Sequence, residues 1–168
     1  TDDLGLGLWS RLADVLAPTG LAGLHLVCGV AEPLHAPNLK ANAWHDALLR
    51  LQESDAEFVL LDLGAGSSYL TVDLFLSAAQ GILVTTPEPT AMENAYRFLK
   101  TLFFRFAATR APSDRIRRLV SESLHAEASL GQVRSPVDLL SAISRRHAGL
   151  GAQLEAALAG LDLSILVN

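Results

Sequence analysis

The chain has 168 residues with a formal net charge of −5; half of its residues are hydrophobic and 18% are charged. That length suits one domain with a substantial core, and the apolar balance argues against a disordered chain. The negative charge argues against non-specific nucleic-acid binding, which needs a positive surface to displace condensed counterions.

No apolar run reaches the roughly 18 residues of a membrane span, and the start TDDLGLG lacks the basic-then-apolar order of a secretion signal, so a cytoplasmic location is expected. The sole methionine is Met92. Thr1 is therefore not an initiator residue, and a processed or cut chain is expected. Pro18 to Gly20 reads as a turn. Leu24 to Gly29, bounded by glycines, reads as a short buried strand. It carries Cys28, the only cysteine, which excludes an internal disulfide and is expected as a small core residue. Asn38 caps a predicted helix that ends near Ser54, with Leu39, Ala43, Ala47, Leu48 and Leu51 at helical spacing. Phe58 to Asp62 is a continuous apolar strand, and a helix between two such strands is the expected parallel crossover.

After a loop from Gly64 to Ser68, the pattern predicts a helix over Tyr69 to Gln80, capped by Ser67 or Ser68, and an apolar strand over Gly81 to Thr86. Pro87 and Pro89 forbid its continuation. Thr90 and Glu93 form a predicted capping box for a helix whose Met92, Ala95, Leu99, Leu102 and Phe106 share one face. Phe98, Phe103, Phe104 and Phe106 read mainly as core, with Phe104 on a different face that is open to a partner. Ser113 to Ala128 is a further helix. Ser135, Pro136 and Asp138 start another that runs to about His147. Gly149 and Gly151 are expected to interrupt it, a last helix ends at Gly160, and LSILVN returns to a buried strand. That strand ends at Asn168 with no continuation, so a second cut is expected there. The basic clusters Arg115, Arg117, Arg118 and Arg145, Arg146 read as solvated faces beside Asp114, Glu122 and Asp138. The expected architecture is one α/β domain over residues 1–168, three-layered, with a mainly parallel sheet and helices on both faces.

An acid that closes an apolar strand ahead of a glycine loop admits three readings. Asp62 orients magnesium in a phosphate-binding ATPase, with the loop amides sensing the terminal phosphate. Alternatively, the glycines let backbone approach a methyltransferase or dinucleotide cofactor, or Asp62 merely caps a tight turn. The second reading lacks two of its parts: Tyr69 stands where a third glycine would fall, and the next strand ends in Thr85 and Thr86 without a ribose-binding acid. His25, His35, His45, His125 and His147 show no metal-ligand spacing, and Gly66-Ser67-Ser68 lacks the flanks of a nucleophile elbow.

The run DLGAGSS, a helix, and then ILVTTPEPTAMENAYRFLK resembles the MinD and ParA group of deviant Walker ATPases, most closely the FlhG branch associated with flagellar number and placement. The likeness is strongest over residues 57–100 and extends faintly to GLHLVCG and LSILVN. The resemblance implies a P-loop NTPase-like fold, ATP and Mg2+ as ligands, a nucleotide-dependent homodimer, and a slow hydrolytic switch that positions flagella, division machinery or cargo. It implies that Asp62 closes the Walker B strand and holds the magnesium water. It makes Gly64, Ala65 and Gly66 the nucleotide-sensing switch. Asn168 becomes the adenine reader, and Pro87 and Glu88 the turn bordering nucleotide and dimer face. Peripheral attachment to the inner face of the membrane would come from a carboxyl-terminal helix absent from these 168 residues.

The family's glycine-rich KGGxGKS/T-type loop is also absent, since the only lysines, Lys40 and Lys100, fall in predicted helices. Phosphate binding in that family rests on a nest of amides at a helix start plus a lysine ammonium. The expectation is therefore a domain incomplete at its amino end, unable to bind ATP tightly by itself. The rival expectation is a non-catalytic interaction module on the same fold.

Overall fold

The computed structural model describes residues 15–27, 41–128 and 135–168. Contacts divide the chain into two compact units, Thr1–Asp62 and Leu63–Asn168.

In the first unit, β1 (Leu16–Pro18) pairs antiparallel with β2 (His25–Val27), with Leu16 opposite Val27 and Pro18 opposite His25. Thr19 closes the connection: its hydroxyl donates to the Leu24 carbonyl at 2.9 Å and accepts from the Leu21 N–H at 3.1 Å. The segment expected as a buried parallel strand is thus half of a hairpin, and Leu24 and Leu26 are exposed. Cys28, His35 and Asn38 lie outside the described residues. The predicted helix is present as α1 (Ala41–Gln52), which buries Ala47 and is followed by a Ser54 hydroxyl bond to the Leu51 carbonyl at 2.6 Å.

Phe58 to Asp62 does not form the expected strand. The segment is irregular, and Phe58 and Leu60 are 80% and 87% exposed. Apolar content favours a strand only where a neighbour completes its ladder, because an isolated strand leaves its N–H and C=O groups unpaired by protein. Among the described residues no ladder includes this segment.

The second unit runs α2 (Tyr69–Ser77), β3 (Gly81–Thr85), α3 (Pro89–Thr109), α4 (Asp114–Ala128), α5 (Pro136–Arg146), α6 (Ala148–Ala159) and β4 (Leu163–Val167). β3 and β4 pair in parallel, with Gly81 opposite Leu163 and Thr85 opposite Val167. Each sheet among the described residues has two strands, one pair antiparallel and one parallel. The period-2 pattern divides the parallel pair. In β3, Leu83 packs on the helical core together with Leu163 of β4, while Ile82, Val84 and Leu166 on the other face stay 55%, 60% and 55% exposed; beyond Leu163 the core-side Ile165 and Val167 of β4 are exposed as well. Parallel sheets are ordinarily covered on both faces.

The core centres on α3, whose Phe98, Leu102 and Phe106 meet Val72 and Leu76 of α2, Ile116 and Val120 of α4, Leu139 and Ile143 of α5 and Leu154 of α6. Burying each such aliphatic side chain contributes roughly 1.5–3 kcal/mol, which makes this cluster the main source of stability for the unit. Phe75 stands edge-on to Phe98, with ring centroids 5.1 Å apart. Met92, expected on the core face, is exposed, and the buried stripe passes instead through Ala95, Phe98, Leu102 and Phe106. Phe103 and Phe104 are partly buried and stack edge-to-face at 5.6 Å.

Local signals explain most helix ends. Ser68 caps α2 by accepting the Thr71 N–H at 3.1 Å. Ser135 and Asp138 form a reciprocal capping box at α5, with bonds of 3.2 and 2.8 Å. The box predicted at Thr90 and Glu93 does not form. α3 starts earlier, with Glu88 as its backbone cap and Pro89 at its first position, and Glu93 pairs with Arg97 one turn on at 2.6 Å. Proline's fixed φ and missing N–H suit the first helical position, which places Thr90 inside the helix. Gly149 and Gly151 lie within α6, and the break falls at His147, which caps both α5 and α6. Among the described residues no helix is long and apolar enough to cross a membrane.

Candidate functional site

The carboxyl edge of the parallel pair gathers three of the residues singled out from sequence. The Asn168 N–H donates to the Thr85 carbonyl at 2.9 Å, so the last residue continues the ladder and sits beside the end of β3. Thr85 is buried, and two residues further on Pro87 and Glu88 turn the chain into α3. The Glu88 carbonyl accepts the Met92 N–H at 3.0 Å, whereas its side chain makes no capping bond. Pro87, Glu88 and Asn168 are all exposed. Crevices outside the carboxyl ends of parallel strands are where α/β sheets hold ligands, because strand ends, turns and helix amino ends meet there.

The glycine loop has its own geometry. Gly64 has φ +65° and Gly66 φ +124°, and both, with Ala65 between them, are exposed. A side chain tolerates the first conformation with modest strain and the second much less well, so Gly66 is the position where glycine is needed most. The loop leads into α2 through Ser68, whose hydroxyl also lies 2.8 Å from that of Thr71.

The amino end of α2 is fixed to the far half of α3. The Tyr69 ring lies 5.1 Å from the Arg105 guanidinium carbon, and Arg105 holds Asp73 through two bonds of 2.7 and 2.6 Å. That hydrogen-bonded pairing raises the Arg105 pKa above its ordinary value, Coulomb attraction adds to it, and partial burial opposes it. Arg105 stands sixteen residues beyond Pro89, about 24 Å along the helix axis. The structure therefore brings Pro87, Glu88 and Asn168 together, and anchors the helix behind Gly64, Ala65 and Gly66 well down α3 from them. Asp62 closes the first compact unit and is exposed in irregular chain.

The exposed Asn168 carboxamide offers one donor and one acceptor, which match the adjacent amino donor and ring acceptor of adenine. Neither lysine of the chain stands on a glycine-rich loop, so a phosphate cradle of the family type is not formed by these residues. Among the described residues no group of three or more His, Cys, Asp or Glu side chains is placed to hold a metal ion.

Sequence reasoning missed the Asp73, Arg105 and Arg110 cluster. Asp73 falls within the predicted helix over Tyr69 to Gln80, and nothing in the spacing links it to an arginine 32 positions on. No family model, no curated protein and no solved structure matches this chain.

Proposed function

We propose that this chain supplies the base-reading and switch portion of a MinD/FlhG-like nucleotide-dependent ATPase, acting in the cytoplasm and dimerising with ATP bound. The reading is carried by one observation: Asn168, Pro87 and Glu88 share the carboxyl edge of a parallel β3–β4 pair. That edge is where an α/β sheet holds ligands. Asn168 would select adenine, Pro87 and Glu88 would border the nucleotide and the dimer face, and Gly64, Ala65 and Gly66 would couple phosphate to conformation. Asp62 would hold a magnesium-bound water when Mg2+ arrives with the nucleotide, for which it must stand in a β-strand that the described residues do not form. The α/β, three-layer, mainly parallel architecture is part of this proposal, since it requires further strands beside β3 or β4.

A second reading, a non-catalytic interaction module, is favoured by a different observation. Ile82, Val84 and Leu166 leave an apolar sheet face exposed, and exposed contiguous apolar surface marks interaction sites. Titration calorimetry with adenosine, AMP and ATP separates the two. The nucleotide reading predicts equal, weak binding of all three, with dissociation constants on the order of 1 mM, about −4 kcal/mol, because only the base is recognised. Micromolar ATP binding would mean that the phosphate site has been misplaced. No binding of adenosine at all would leave the interaction module.

A further inference from the structure

We propose that Arg105 of α3 and Arg110, the residue that caps its carboxyl end, clasp α2, so that α2 and the carboxyl half of α3 move as one body and the glycine loop pivots at Gly66 against that body. The inference is independent of nucleotide binding. Three contacts carry it. Arg105 grips the Asp73 carboxylate side-on with Nε and Nη2 at 2.7 and 2.6 Å. Its guanidinium also lies over the Tyr69 ring at 5.1 Å, one turn earlier in α2. Arg110 reaches the other end of the helix, donating from Nη1 to the Leu76 carbonyl at 2.6 Å and from Nη2 to the Asp73 carbonyl at 3.5 Å.

These contacts act on a helix that is weak alone. α2 has nine residues, too few to be stable in isolation, and its last turn has no basic residue of its own to satisfy the terminal carbonyls. Arg110 supplies that cation from 34 residues away. The apolar side of α2, through Val72 and Leu76, fixes it to the core, and the two arginines fix its rotation and register over its whole length. Two residues before Ser68 the backbone passes through Gly66 at φ +124°, with space around its Cα where a side chain would stand. Rigid helix and permissive glycine thus adjoin, which is the arrangement of a hinge. The planar fork of arginine is essential here, because a lysine ammonium cannot hold both carboxylate oxygens and cover the tyrosine ring.

Amide hydrogen exchange on the purified chain tests the proposal with the variants Arg105→Lys and Asp73→Asn. The expected result is exchange about fivefold faster at the amides of residues 71–77, with the amides of Phe98 to Phe106 and of β3 unchanged, since a partly exposed ion pair acts locally and modestly. A uniform rise through the whole second unit would mean only a general loss of stability and would overturn the clasp. Unchanged exchange at residues 71–77 would overturn it as well. The variant Gly66→Ala serves as the independent arm: it should slow or redirect exchange of the loop while leaving α2 protected. Loss of α2 protection in that variant would show that loop and helix are one element rather than two joined at a hinge.

Discussion

Gly149 and Gly151 both lie in the first turns of α6, yet replacing each by alanine should change stability in opposite directions. The gain from helix propensity is shared, up to about 1 kcal/mol for glycine to alanine. At Gly149 nothing lies within 4 Å of the added methyl, so the gain is realised. At Gly151 the methyl would overlap the Ser144 hydroxyl and stand 3.0 Å from Ser144 Cβ and 3.1 Å from its Cα. The hydroxyl escapes by rotation to another rotamer, whereas Cβ and Cα are fixed to α5. Carbon pairs pack best at about 3.5–4.0 Å, and forcing a methyl into such a helix contact costs roughly 1–3 kcal/mol. Subtracting the propensity gain leaves Gly151→Ala less stable by roughly 1 kcal/mol, or about 2–4 °C in Tm for a chain of this size. Gly149→Ala should be more stable by up to that amount. Urea unfolding followed by circular dichroism measures both. A stabilised Gly151→Ala would refute the close α5–α6 approach. Because α6 leads through Gly160 into β4, the position of Asn168 would then lose its support.

Further outcomes follow from local chemistry. Ser135→Ala removes the hydroxyl half of the α5 capping box and should cost about 1 kcal/mol in urea unfolding, with Ser135→Gly costing less. Gly64→Asn should be tolerated, while Gly66→Asn should lower Tm by several degrees, since φ +65° is a conformation asparagine visits and φ +124° is not; equal Tm values would refute the distinction. The raised Arg105 pKa contributes stability that is fully present below the unfolded-state value and is lost only as pH climbs through the folded one. Both values lie far above neutrality, so the difference in urea midpoint between the parent chain and Arg105→Lys should stay flat from about pH 6 to 9. A divergence in that window would mean another titrating group controls the contact.

Some of this architecture was legible because its cause is local. Ser68, and the Ser135 and Asp138 pair, act on amides three residues away, and the structure shows those bonds. The apolar runs at Gly81 and Leu163 specify strands that found each other in register. What failed was non-local or depended on a choice between adjacent signals. At α3 a proline and a threonine competed to start the helix, and the proline's fixed φ prevailed. Phe58 to Asp62 has strand composition, but composition does not supply a neighbour. His25 to Val27 is a strand whose direction of pairing was misjudged, because a hairpin partner at Leu16 lies in a segment with little periodicity. For the candidate site, the Pro87 turn and the Asn168 edge could be read as strand ends, whereas the attachment of α2 to α3 depends on side chains 32 to 37 positions apart.

The proposed base-reading role of the sheet edge is tested most directly by residue-resolved amide shifts during titration with adenosine and, separately, guanosine. Adenosine should move the signals of Asn168 and of Thr86 to Glu88, with guanosine leaving them in place and Asn168→Ala abolishing the response. Equal shifts with both nucleosides, or shifts confined to other parts of the chain, would contradict it.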